Sequence, residues 1–368
     1  MTQRERQLLR WIEENPMISQ QELADKAGIT RSSVAVHISN LMKKGHIAGK
    51  GYIVRSAPYA VVIGGAALEI AGYSHTTLSP NASGLGSVQM CLGGTGRSIA
   101  HNMTLLGMDV HLITALGDDT AAQRIISSCS ELGINISHSL HLSGIPTSTK
   151  ICLSDPECEQ TFSMIDTAIY DKLTASFLAA RLPFLNSAQL IVIDTDLPEA
   201  TIGWVTENCR PPIFATPASP GSTNKLHKAL HRLHTIKLTR DEAEKLTNIP
   251  LTSRNNIERT ADVLLATGLR RLFITLDTDG VFAADQRSRC LLPCTPGKKV
   301  NYIGCDDAFT AAIAWAFPEG TSLENTARIG SSAASIAAES EERVNPSLRA
   351  AQIHQRSAAG RVHFQYPK

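Results

Sequence analysis

Six apolar runs, at 60–63, 110–114, 190–194, 213–215, 235–238 and 272–276, are separated by stretches of helical spacing at 96–107, 120–132, 199–209, 241–247 and 254–267. Strand and helix alternating in this way predict an α/β fold with a doubly wound, mostly parallel sheet covered by helices on both faces. Ligands on such a sheet bind at the carboxyl ends of the strands. There is no internal repeat and no low-complexity tract. The expected organisation is a small α+β domain over 1–56, the α/β domain over 58–352, and a polar tail over 353–368. The proline-containing "RSAPY" at 55–59 is the linker.

Charge separates the two domains. The whole chain of 368 residues carries a net +1. Residues 1–56 hold nine Lys/Arg and five Asp/Glu, a net of +4, which leaves 1 − 4 = −3 for the rest. A basic head on a mildly acidic body confines any nucleic-acid contact to the head. The eight cysteines form no CxxC pair and no zinc-ligand spacing, as expected of thiols in a reducing compartment. The N-terminus "MTQRERQLLRWIEE" is charged from the start, unlike a signal peptide, and no apolar run is long enough to span a bilayer. A soluble, cytoplasmic protein without membrane partners is expected.

In the head, Leu8, Leu9, Ile12 and Met17 mark the apolar face of a first helix ended by Pro16. Ser19 caps a short second helix that Gly28 breaks, and Thr30 caps a third with Val34, Ile38 and Leu41 inward. "HIAGKGYIV" then reads as a hairpin around Gly49–Lys50–Gly51. This order is the winged helix-turn-helix pattern, and the stretch resembles winged-helix transcription regulators. The third helix would enter the major groove. Arg31, Ser32, Ser33 and His37 are the candidate base or phosphate contacts, and Lys43, Lys44 and Lys50 the candidate phosphate contacts. Paired recognition helices would suit a homodimer.

Four stretches of the body carry chemistry: "CLGGTGRSIAHNMTLLG" (91–107), "HTIKLTRDEAEKL" (234–246), "LFITLDTDGVFAAD" (272–285) and "IGCDDAFTAA" (303–312). Their order and spacing resemble the ribokinase-like, PfkB-type family of sugar and nucleoside kinases. "GGTGRSIAHN", "PTSTK", "DTDLPEA" and "NPSL" are most similar to its pseudouridine kinase branch. The resemblance implies a ribokinase-like fold with a small β lid, ATP and Mg²⁺ as cofactors together with a monovalent cation, and a nucleoside or sugar substrate. It implies an anion hole at Gly304, Cys305 and Asp306 on a helix N-terminus, where backbone N–H groups favour phosphate. Asp307 matches the catalytic base, which takes the proton of the attacking hydroxyl. Glu242 matches the acid that organises Mg²⁺. Glu69, Gly93, Gly94, Ser98, Thr147 and Asp166 fall in the substrate pocket, the two glycines where side chains would block a ligand. Thr239, Thr275, Asp277 and Gly280 fall at the nucleotide.

Six positions depart from the family pattern. Ser98 replaces an asparagine, Glu69 an aspartate, Thr239 the Asn of Asn-x-x-Glu, and Ala121, Asp277 and Asp306 replace glycines. Asp306 sets a charge beside a phosphate site, at a cost of about 4 kcal/mol for charges 4 Å apart at a protein-like dielectric. Its side chain is expected to turn to solvent and to be screened by a cation. Two functions follow: a nucleoside or sugar kinase with a DNA-binding head, or a transcription regulator whose degenerate kinase domain senses such a ligand.

Overall fold

Three hydroxyl side chains start the helices of the first unit. Thr2 caps α1 (Gln3–Glu14) and Ser19 caps α2 (Gln20–Ala27), each in a reciprocal capping box with Glu5 or Glu22. Thr30 accepts from Ser33 N at the head of α3 (Arg31–Lys43). Gly28, at φ 61°, ends α2 in the left-handed conformation. Leu8, Ile12, Leu23, Val34, Ile38 and Leu41 form the core between these helices. Met17 does not join it. It is 83% exposed, and the next residue, Ile18, turns inward instead. The computed structural model describes residues 1–47, 58–78, 83–154, 162–295, 297 and 300–359, so most of the expected wing, with Lys50, lies outside the described residues. The chain divides into two units, Met1–Pro58 and Tyr59–Lys368.

The second unit begins with β1 (Tyr59–Ile63), β2 (Ala67–Ser74) and β3 (Gly86–Gly93), followed by α4 (Thr95–Leu105). Then come β4 (Asp109–Ile113), β5 (Ala115–Leu116), α5 (Thr120–Glu131), β6 (Leu140–His141), β7 (Thr149–Ser154) and β8 (Phe162–Asp166). Short helices α6 (Ala175–Ala179) and α7 (Leu182–Ser187) precede β9 (Leu190–Asp194), α8 (Glu199–Asn208), β10 (Ile213–Thr216) and β11 (Thr235–Thr239). The chain continues through α9 (Arg240–Thr247), α10 (Arg254–Ala266), β12 (Arg271–Thr275), β13 (Val281–Asp285) and β14 (Arg289–Leu292). It closes with α11 (Cys305–Ala316), α12 (Leu323–Ala337) and α13 (Ala350–Ala359).

Eight strands form the main sheet in the order β14-β13-β12-β11-β10-β9-β1-β4. From β4 to β12 every neighbouring pair is parallel, and the β12–β13–β14 edge is antiparallel. The central strands are buried on both faces: β1 and β9 have no exposed residue. One apolar layer lies on each side, one built on Ile191, Ile193, Ile236 and Leu264, the other on Val62, Val192, Phe273 and Phe309. A second sheet, β3-β2-β7-β8, stands where the resemblance implied a small β lid. The polar tail expected from residue 353 is corrected: α13 runs to Ala359, and Ile353 is fully buried against α11 and α12. Among the described residues no helix is long and apolar enough to cross a membrane.

Candidate active site

Lys237 of β11 and Thr275, the last residue of β12, meet Asp306 at the N-terminus of α11. Gly304, at φ 83°, turns the chain into this helix, and a β-carbon there would lie 1.9 Å from the carbonyl oxygen of Arg343. Only glycine meets both constraints. No side chain caps the helix; Cys305 N donates to Tyr302 O at 3.3 Å, and the N–H groups of Asp306 and Asp307 are the ones left for an anion. Cys305 follows, half-buried, and burial pushes its thiol up to about 11, so it is neutral.

Asp307 is 6% exposed. Burial pushes its carboxyl up to about 6, while the Arg343 guanidinium pulls it back down and Asp306 adds to the rise. A base poised there is ionised near neutrality yet still takes up a proton readily. Asp306 points the other way. Its carboxylate pairs with Lys237 of β11, a side chain 1% exposed, and accepts from Thr275 Oγ1 at 3.2 Å. The sequence led us to expect a screening cation at Asp306, and the screening charge is an internal ammonium.

Arg343 joins the residues that the sequence placed separately. Its Nε donates to Ser98 Oγ at 2.8 Å, its Nη1 to Glu69 Oε1 at 2.7 Å and its Nη2 to Asp307 Oδ2 at 3.1 Å. One side chain thus ties β2, α4 and α11 together. Sequence reasoning missed both Arg343 and Lys237. It also gave no role to Asp194 and Asp196, at the end of β9. Asp194 is fully buried and accepts from Gly65 N at 2.8 Å and from Asp196 N at 3.0 Å. Burial, reinforced by Asp196, holds Asp194 well above the usual carboxylate range, and burial pushes Asp196 up to about 6. The signal for this pair was the "LIVIDTD" run, two acids at the carboxyl end of a buried strand.

Other expected residues take structural roles. Gly93 and Gly94 admit protein rather than a ligand: a β-carbon would meet the Glu69 carboxyl at 2.2 Å from Gly93 and the Gly65 carbonyl at 2.5 Å from Gly94. Thr147 is used up in the fold. Its hydroxyl donates to Asp119 Oδ1 and accepts from Gly117 N, and its N–H donates to Asp119 Oδ2. Asp166 is exposed, ends β8 and accepts from Ala168 N in a local turn, outside the Arg343 network.

At the start of α9, Thr239 caps the helix and accepts from Glu242 N, while Glu242 Oε2 accepts from Thr239 N at 2.7 Å. Burial raises the Glu242 carboxyl above its usual range, with Lys237 pulling it down. Asp277 sits at φ 51°, a left-handed position that explains why glycine is the family's residue there. Arg240 clamps this turn, donating to Asp277 Oδ2 at 3.3 Å and Asp279 Oδ2 at 2.6 Å. Gly280 is required, since a β-carbon would stand 1.9 Å from Leu292 O.

On the head, Arg31, Ser32 and Lys43 are exposed on α3. Ser33 is bound to Thr30, with 2.8 Å between the hydroxyls, and His37 is half-buried with Nδ1 enclosed. Lys44 is not a free phosphate contact: Glu5 holds its ammonium through both carboxylate oxygens at 2.8 Å.

Comparison with known proteins agrees with this geometry. Residues 57–350 match the pfkB family of carbohydrate kinases, and residues 1–47 match a winged helix-turn-helix DNA-binding domain. The chain is 33% identical to the uncharacterized sugar kinase YeiI of Escherichia coli K12, over 95% of this chain and 97% of that one. It is 31% identical to the pseudouridine kinase of the same organism, over 82% of this chain and 96% of that one. In fold, it superposes on the Arabidopsis thaliana ribokinase complexed with ribose and ATP with a TM-score of 0.74, at 18% identity, covering 82% of this chain and 99% of that one. A sheet whose strand ends meet a glycine-led helix, a buried carboxylate on that helix, and a family match over 57–350 lead to one assignment: the chain belongs to the pfkB family of carbohydrate kinases and carries a winged helix-turn-helix DNA-binding domain at its N-terminus.

Proposed function

We propose that this chain transfers the γ-phosphoryl group of ATP to a hydroxyl of a nucleoside or sugar, with a pseudouridine-like nucleoside as the favoured acceptor. The observation that carries this reading is the placement of Asp307. It is a buried carboxylate on the first turn of α11, and its carboxyl is pushed up to about 6 by burial. In this reading Asp307 accepts the proton of the substrate hydroxyl as the new O–P bond forms and the bond to ADP breaks. Charge developing on the transferred group would meet the helix start, where Asp306 N–H is the donor left by the bond from Cys305 N to Tyr302 O. The relative at 31% identity, a pseudouridine kinase, supports the choice of acceptor.

The donor set fits Mg²⁺ bound largely through water and phosphate, which needs only one or two protein carboxylates. Among the described residues no group of three or more His, Cys, Asp or Glu could hold a metal. Glu242, with only Oε2 used in the capping box, would be the protein's contribution. Mg²⁺ there would neutralise charge on the phosphates.

The N-terminal unit is proposed to bind DNA through α3, with Arg31 and Ser32 at the bases and Lys43 at phosphate. A homodimer suits that role. Its proposed interface is the face of the small sheet turned away from Glu69, where register aligns Met90, Ile151 and Met164 in one row and Val88, Leu153 and Phe162 in the next. These six are exposed by 38% to 72%, and a second copy of the sheet would cover them.

A second reading, a ligand-sensing regulator, draws on the Asp306 carboxylate beside the anion loop. One assay separates the two: purified chain with Mg-ATP and a panel of nucleosides and sugars, pseudouridine included, and Asp307→Asn as control. Turnover that disappears in the variant supports the kinase. A panel member that raises thermal stability without turnover supports the sensor and sinks the kinase.

A further inference from the structure

Arg343 lies outside the four stretches that carry the family pattern, yet its guanidinium bonds Ser98, Glu69 and Asp307. Its backbone is fixed first. Its carbonyl packs against Gly304, and the segment before it is held by Val300 N and Asn301 N donating to Ala338 O at 2.7 and 3.2 Å. Asn301 Nδ2 donates to Glu341 O at 3.1 Å. Just beyond it, Asn345 Nδ2 anchors the chain to Ile336 O at 2.7 Å. The guanidinium therefore reaches the site from a segment tied to the anion loop itself.

Its three bonds go to two departures from the family pattern and to the base. Glu69 is one methylene longer than the usual aspartate, the reach needed to meet Nη1. Ser98 is smaller than the usual asparagine and holds Nε with its hydroxyl. The three residues read as one matched set. We infer that Arg343 is a positioning residue for phosphoryl transfer, locking the Asp307 carboxylate to the substrate-recognition pair Glu69 and Ser98. The inference rests on the kinase reading above.

Two properties follow. A planar guanidinium with three directed bonds fixes the Asp307 oxygen in place, which a lysine ammonium at the same position cannot do. Its charge also opposes the burial that raises the Asp307 carboxyl. Glu69 and Asp307 both pair with the guanidinium and, against the cost of burial, hold it firmly protonated.

The test is steady-state kinetics across pH on the full chain, with wild type, Arg343→Met and Arg343→Lys. The expected result in Arg343→Met is a fall in kcat of roughly 100-fold with KM for ATP changed less than about threefold. The acidic limb of kcat/KM should also move upward by roughly one to three pH units, because a nearby positive charge has been removed. Arg343→Lys should return most of the limb and little of kcat. A low kcat with an unmoved limb in Arg343→Met, or full kcat in Arg343→Lys, overturns the inference. Should Arg343→Met fail to fold, Arg343→Lys still decides through kcat. A wild-type chain that turns over no panel member removes the kinase reading itself, and the inference with it. A wild type that turns over alongside an unaffected Arg343→Met removes the inference alone.

Discussion

The ammonium of Lys237, buried in the middle of β11, meets the carboxylate of Asp306 on the first turn of α11. Asp306 stands where the family pattern has a glycine, and the pair compensates its charge. The positive charge lies inside the protein and the carboxylate is half exposed. Asp306→Gly should therefore change ATP affinity by less than about tenfold, because the charge it removes is already compensated. It should lower stability by about 1–3 kcal/mol, since it leaves a buried donor without that acceptor. Calorimetric titration with ATP and a denaturant melt read the two effects. A gain in affinity beyond tenfold would show that Asp306 repels the nucleotide.

With Asp307 as the proposed base, its carboxyl should set the pH dependence. Burial raises its carboxyl to about 6, and only the ionised form accepts a proton. Activity should be full above about pH 7 and fall as pH drops through 6, with a single-proton slope. Asp307→Asn should lower kcat by roughly 10²- to 10⁴-fold, the usual contribution of a general base. A profile flat from pH 5 to 8 would remove Asp307 from that role.

Gly304 offers a check on the loop alone. Its φ of 83° costs a β-carbon-bearing residue about 1–2 kcal/mol, and the carbonyl of Arg343, 1.9 Å from the position of that carbon, must also move. Gly304→Ala should abolish turnover and weaken ATP binding. Gly320→Ala, at φ 65° with open space around it, should lose only the backbone cost. Melting temperatures and ATP titrations of the two variants make the comparison, and equal behaviour would deny Gly304 its place in the site.

What could be read ahead of the structure follows from burial. The main-sheet strands are apolar on both faces, so runs such as "LIVID" stood out, and β9 begins and ends at the residues expected. In the small sheet β3 and β8 ("FSMID") are exposed along most of their length, β2 and β7 are largely half-buried, and β2 pairs with β7 far along the chain. No local pattern marks them, and the resemblance alone supplied the lid. The site divided in the same way. Asp307, Glu69 and Ser98 lie in local motifs. Arg343 meets Glu69 across 274 positions, and "EERVNP" looks like a solvated turn. Lys237 did leave a trace: a single lysine inside the apolar strand "TIKLT" has to find a partner when buried.

In the head, Glu5 is held down at about 2 by its hydrogen bond to Lys44, helped by the Thr2 N–H. A depressed carboxyl contributes stability that is present above its ordinary value of 4.5 and is lost as pH falls from there towards 2. Amide protection factors of residues 1–47 in the full chain, taken against the intrinsic rate at each pH, should fall over that window. In Glu5→Gln the acid-dependent part of the change should vanish. Exchange that responds to pH identically in both proteins would mean the pair contributes nothing.

Lys43 and Lys44 are neighbours with different expected roles on DNA. Lys43 is exposed at the end of α3, whereas Lys44 is engaged by Glu5. Lys43→Ala should weaken binding evenly across sequences and reduce the salt slope by about one. Lys44→Ala should leave the slope unchanged and show its loss in the stability of the head. Arg31→Ala, at the start of the helix, should cost about 1–3 kcal/mol on a preferred site and much less elsewhere. Fluorescence anisotropy with genomic fragments at several salt concentrations separates the three. A Lys44→Ala slope that falls as far as that of Lys43→Ala would mean the Glu5 pair opens on DNA and both lysines meet phosphate.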